Sequence, residues 1–82
     1  MIQEYYQIPE YVSFIHSGTK VSLGNHTILE IILKDFPDTF VFQKGRYNIM
    51  VRMQHGEELA FALKYPEIFA KMKKVKIRTV QK

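Results

Sequence analysis

The stretch TFVFQKGRYNIMVRMQ, residues 39–54, constrains the architecture more firmly than any other part of the chain. Two runs rich in aromatic and β-branched residues stand on either side of Gln43-Lys44-Gly45-Arg46. A short glycine-bearing connection between such runs is the signature of a β-hairpin, which commits the chain to antiparallel pairing. If Phe42 pairs with Tyr47, alternation along each strand puts Phe40, Phe42, Tyr47, Ile49, Val51 and Met53 on one face, the expected core. The other face then carries Val41, Asn48, Met50 and Arg52 and is half apolar.

A second hairpin is expected earlier. Tyr11, Val12, Phe14 and Ile15 read as one strand and residues 21–23 as another, with His16-Ser17-Gly18-Thr19 supplying the turn and Gly18 free to take a positive φ. Pro9 keeps a regular strand from starting much before residue 11. In NHTILEIILKDFPD, Thr27, Glu30 and Lys34 fall on one polar face at helical spacing, and Thr27 with Glu30 fits a capping box. Pro37 ends that helix. A strand paired with residues 21–23 through Gly24-Asn25 is the competing reading, because three isoleucines count mildly against helix.

Beyond His55-Gly56, Phe61, Tyr65, Ile68, Phe69 and Met72 keep helical spacing. Glu57 and Glu58 suit the helix start, and Lys71, Lys73 and Lys74 suit its end. Pro66 interrupts it, since its ring clashes with the carbonyl four residues back. Either a kink at Tyr65 or two short helices, with Pro66 in the first turn of the second, is expected. A last strand runs over residues 75–80.

These elements alternate without βαβ units, so the expected class is α+β: one domain over residues 1–82, a mainly antiparallel sheet, and two or three helices packed on one face. Eighty-two residues leave room for one core only. Without cysteine, neither disulfides nor thiolate metal sites contribute to it. The aromatic content of 13% argues against disorder. The start MIQEYYQIPE lacks the pattern of a secretory signal, and no apolar run approaches the ~20 residues that span a bilayer. A cytoplasmic protein with no membrane association is expected; on that reading the match of Asn25-His26-Thr27 to a glycosylation acceptor means little.

The charge is unevenly spread. The closing segment KMKKVKIRTVQK, residues 71–82, holds six of the twelve Lys and Arg residues and no acid. Residues 1–70 carry the other six cations against all eight acids and are mildly acidic. Such asymmetry points to an anionic partner. In a strand, Val75, Ile77 and Thr79 face one way while Lys74, Lys76 and Arg78 face the other, about 7 Å apart. Lys71 and Lys73 extend the row. Cations at that spacing can follow a phosphate backbone and release its counterions. Lys44, Arg46 and Arg52 could widen the surface, and Tyr5, Tyr6 and Tyr11 are candidate stacking platforms. The same lysines also suit a solvated outer strand that resists edge-to-edge aggregation.

Little else suggests chemistry. His16, His26 and His55 stand beside turns and outside any metal-ligand spacing, and His16-Ser17 lacks a third group to orient a base. Asp35 and Asp38 flank Phe36-Pro37 and form a weak cation-site candidate. Gly18-Thr19-Lys20 is not a phosphate loop. No catalytic residue, metal ligand or cofactor is assigned. The leading expectation is a small non-catalytic accessory or regulatory protein that contacts nucleic-acid phosphates through Lys71, Lys73, Lys74, Lys76 and Arg78. The alternative is a protein-interaction or inhibitor module, or a homodimer, that uses the edge of the last strand, with Met50, Met53 and Met72 lining an adaptable apolar surface.

Overall fold

The computed structural model describes residues 2–54 and 56–78. In chain order the elements are β1 (Ile2–Gln7), β2 (Tyr11–His16), β3 (Thr19–Gly24), α1 (Asn25–Asp35), β4 (Phe40–Lys44), β5 (Asn48–Arg52), α2 (Glu57–Lys64), α3 (Pro66–Phe69) and β6 (Lys73–Arg78). The strands form two antiparallel sheets, one of four strands in the order β4-β5-β1-β6 and one consisting of the β2–β3 hairpin. The α+β class expected from the sequence stands; the single expected sheet is in fact two.

The β2–β3 turn follows its chemistry. Ser17 (φ 52) and Gly18 (φ 78) both take left-handed conformations, the requirement of the two-residue turn whose twist matches its flanking strands. The β4–β5 hairpin also forms, but in a different register. Lys44 pairs with Asn48 and Phe42 with Met50, around a three-residue loop in which Gly45 has φ 75. This change of phase moves Phe40 and Phe42 away from Ile49, Val51 and Met53 and onto the opposite face, with Met50 and Arg52.

Residues 2–7, read as lying before any regular strand, form β1. Pro9 separates β1 from β2 and does not merely delay one strand. β1 pairs with β5 at Tyr6 and Gln7, and with β6 along its whole length, from Ile2↔Arg78 to Gln7↔Lys73. It is therefore an interior strand.

Helix prevails over strand for α1, which begins three residues earlier than the Thr27 cap implies. Gly24 occupies the N-cap position without any side-chain capping bond, so the Thr27–Glu30 box does not form. Asn25 is buried and ties the helix start to two loops: its amide N–H donates to the Glu10 carbonyl (3.0 Å) and its Nδ2 to the Arg46 carbonyl (3.3 Å). Pro66 splits the second helical stretch cleanly. Tyr65 leaves helical geometry, and Pro66 opens α3, where its missing N–H costs nothing. Because α3 ends at Phe69, Lys71, Lys73 and Lys74 do not close a helix as the spacing suggested; Lys73 and Lys74 already belong to β6.

The helices and the small hairpin cover the face of the large sheet that carries Tyr6, Ile49 and Val51. Phe61 is central, with ring centroids 5.3 Å from Tyr65 and 6.3 Å from both Phe36 and Phe69. Tyr6 meets Phe69 at 5.3 Å and joins sheet to helices. Ile8, Val12, Ile28, Ile32 and Ile68 complete the core. Among the described residues no helix is long and apolar enough to cross a membrane.

The register has a measurable consequence. Ile49 is 0% exposed, whereas Phe42 is 43% exposed. In urea melts, Ile49→Ala is expected to cost about 2–5 kcal/mol. Phe42→Ala is expected to fall well below the roughly 3–5 kcal/mol of a buried Phe truncation. Equal losses would contradict the pairing of Phe42 with Met50.

Candidate functional site: the C-terminal strand and the open sheet face

β6 lies at the edge of the large sheet, with β1 as its only neighbour among the described residues. Its side chains alternate as the sequence implies. Lys74, Lys76 and Arg78 share the face of Tyr6, Glu4 and Ile2; Lys73, Val75 and Ile77 share the face of Gln7, Tyr5 and Gln3. All four β6 cations are exposed. Thr79, Val80 and Lys82 lie outside the described residues.

The five predicted phosphate-binding residues therefore divide into two groups. Lys74, Lys76 and Arg78 form a row on one side of the edge, opposed by a single acid. Glu4 reaches Lys74 at 3.6 Å, but both side chains are more than half exposed, so solvent screening leaves the pair weak. Lys73 stands on the other side. Lys71, in the turn after α3, joins it in a cleft of about 330 Å³ that also includes Gln7, Glu10, Tyr47 and Asn48. The sequence could not show this division, since it depends on where α3 stops.

The face of the sheet turned away from the helices holds a feature that strand alternation alone did not reveal. Across the strands, Phe42 is followed by Met50, Gln7 and Lys73, and the next row runs Phe40, Arg52, Tyr5, Val75. Phe40 and Phe42 are 53% and 43% exposed. Tyr5 and Phe42 lean together to a centroid separation of 6.3 Å. Met50, at 8% exposure, lies between their strands. Arg52 extends over Phe40, its guanidinium carbon 5.3 Å from the ring centroid, and its Nη1 donates to Gln3 Oε1 at 2.7 Å. Gln7 Nε2 donates to Asn48 Oδ1 at 3.2 Å. Lys44 closes the β4 end of the same face.

Of the tyrosines singled out as stacking candidates, Tyr5 belongs to this face. Tyr6 faces the core, and Tyr11 is exposed on β2 in the other sheet. Met50, Met53 and Met72 are all buried, so they form no exposed apolar surface.

The remaining candidates gain no support. His16 and His26 are exposed at the ends of β2 and α1, and His55 lies outside the described residues. Among the described residues no group of three or more His, Cys, Asp or Glu is placed to hold a metal ion. Asp35 serves packing: its Oδ2 accepts from Lys64 Nζ (2.8 Å) and from the Tyr65 hydroxyl (3.1 Å), clasping α1 to the end of α2. Comparison with protein-family models, curated proteins and solved structures finds no match to this chain.

The clasp sets a pH dependence. The Lys64 hydrogen bond holds the Asp35 carboxyl below its ordinary 3.8, and the same bond holds Lys64 above its ordinary 10.5. A depressed acid stabilises the fold above its unfolded pKa and loses that contribution as pH falls through the folded value. A raised base contributes below its unfolded pKa and loses it as pH rises through the folded value. Thermal melts of Asp35→Asn are expected to lie below wild type throughout the window between these limits. The two proteins should converge in stronger acid, and high salt should shrink the gap because the Lys64 end of the pair is exposed. A gap that persisted in strong acid would contradict the ionic origin.

Proposed function

We propose that this chain is a small non-catalytic binding protein that engages nucleic-acid phosphates through Lys71, Lys73, Lys74, Lys76 and Arg78. The observation that supports this reading best is the placement of β6 at the sheet edge. Long cationic side chains project from both sides of one strand, and the only acid paired with them among the described residues is the exposed Glu4. A polyanion running along the edge is within reach of both groups. Such a site reads charge and spacing, not base sequence.

Fluorescence anisotropy with labelled oligonucleotides tests this directly. About five phosphate contacts imply a slope of log K against log[salt] near −4.5 on duplex DNA, so each doubling of salt should weaken binding roughly 20-fold. A variant with Lys73, Lys74, Lys76 and Arg78 changed to Gln should lose the binding and most of the slope. Absence of binding at low salt, where exposed charges act most strongly, would end this proposal.

A second reading rests on the same edge through its backbone. The outward amides and carbonyls of β6 can add to another sheet. If the partner were a second copy with its sheet continuing flat, the cationic row would lie beside its own copy, an unfavourable pairing of like charges. Self-association of this kind would strengthen with added salt, the reverse of polyanion binding. Sedimentation at several salt concentrations separates the two. Successive strand amides point to opposite sides, so one of Lys76→Pro and Ile77→Pro removes an outward donor and spares the ladder to β1. Self-association surviving in that folded variant would remove the edge-pairing reading.

A further inference from the structure

We infer that the open face of the four-stranded sheet is a platform for single-stranded nucleic acid, with bases stacked on Phe40, Phe42 and Tyr5. The inference rests on the phosphate-binding reading above and names the form of polymer that site takes.

Exposure comes first. Phe40 and Phe42 project half-exposed from the same face of β4, about 7 Å apart by strand geometry, and Tyr5 stands beside Phe42. None is needed to fill the core, which lies on the other face around Phe61. A base has an apolar face of matching size and stacks on an aromatic ring whatever its identity. Bases inside a duplex are already stacked on one another, so rings held on a sheet reach only an unpaired strand.

Charge comes second. Among the described residues this face of the four strands carries Lys44, Arg52 and Lys73 and no acid. Gln3, Gln7 and Asn48 share the face; besides the bonds from Gln7 to Asn48 and from Arg52 to Gln3, such amides have further donor and acceptor capacity suited to base edges or sugar hydroxyls. The face leads at Lys73 into the cleft that holds Lys71 and Tyr47, with Glu10 as its one acid. A strand crossing from β4 towards β6 along the row of Phe42 meets that ring first, then Met50 and Gln7, and Lys73 at the edge; along the next row Arg52 stands between Phe40 and Tyr5.

The same charges argue against a second copy as the occupant. A two-fold contact through this face would appose it to itself, bringing Lys44, Arg52 and Lys73 against a set of strands that present no carboxylate on that side. A single strand brings one negative charge per nucleotide.

The test is equilibrium binding of the full chain to labelled dT and dA oligonucleotides and to a duplex of equal length, at low and near-physiological salt. Phe40→Ala, Phe42→Ala and Phe42→Trp are measured beside wild type. The single strand is expected to bind more tightly than the duplex. Each alanine variant should lose roughly 5- to 150-fold on the single strand, the range measured for removing one stacking ring, and little on the duplex. Phe42→Trp should keep the affinity, and its indole emission should be quenched by the oligonucleotide. It carries the test alone if an alanine variant melts early.

Equal affinity for both forms with no loss in the alanine variants would overturn the platform and leave the phosphate grip standing. A quench-free Phe42→Trp would do the same. No binding to either form at low salt would overturn both. A wild-type dimer that the alanine variants dissociate would assign the face to a second copy and overturn the platform.

Discussion

The pairing of β1 with β6 is the constraint on which the rest of the molecule depends. It joins the beginning of the chain to its end over six residue pairs, and no other neighbour of β6 exists among the described residues. Without β1 the basic strand has no ladder to hold it extended, and its alternation of cations and apolar side chains has no structural meaning. β1 also carries Tyr6, which anchors the helix layer through Phe69, and Tyr5, which completes the aromatic group on the open face. One strand therefore couples the core, the basic edge and the exposed rings. Because the contact spans nearly the whole chain, its loop-closure entropy is among the largest in the fold, and local hairpins and helices do little to offset it.

The open face shows how the sheet accommodates apolar groups that water can reach. Met50 is nearly buried although it points away from the core, because it lies between the strands of two rings that lean towards each other. Arg52 covers part of Phe40 while its guanidinium is satisfied by Gln3. These contacts lower the cost of exposure without removing it. The face remains partly apolar and positively charged, which is the combination that unpaired bases with their phosphates complement.

How much of this was legible in the sequence depended on whether a signal was local. The Ser17-Gly18 reversal and the break at Pro66 were readable because each is decided by the φ preferences of one or two residues. The alternation of Lys74, Lys76 and Arg78 against Val75 and Ile77 was readable because strand periodicity is two. The β4–β5 register was not, because Gly45 suits both a three- and a four-residue loop, and the two choices differ in which face β4 presents. Size misled there: Phe40 and Phe42 looked like core. As an edge strand, β4 instead turns the smaller Val41 towards the half-covered side, at 41% exposure. β1 has no comparable signal, because a proline at position 9 is equally compatible with delaying one strand and with separating two, as it does here. The end of α3 at Phe69, which divides Lys71 and Lys73 from the other cations, has no local signature, and Met72 beyond it reaches the core from outside the helix.

That division changes the weight of each observation. Lysines on a free edge strand are explained without any ligand, since they keep the edge from pairing with other chains. The cationic row alone therefore supports a partner only weakly. Two phenylalanines half exposed on the broad face of a sheet are different, because edge protection gives no reason for them and their burial elsewhere would have stabilised the core. Exposed apolar area of this kind marks either an interface or a liability to aggregate, and the cations on its strands, with no acid among them, disfavour pairing with its own copy. The physical case for a ligand thus rests less on the basic tail, which the sequence shows at once, than on the rings beside it, which only the register reveals. A single strand is the ligand class that uses both.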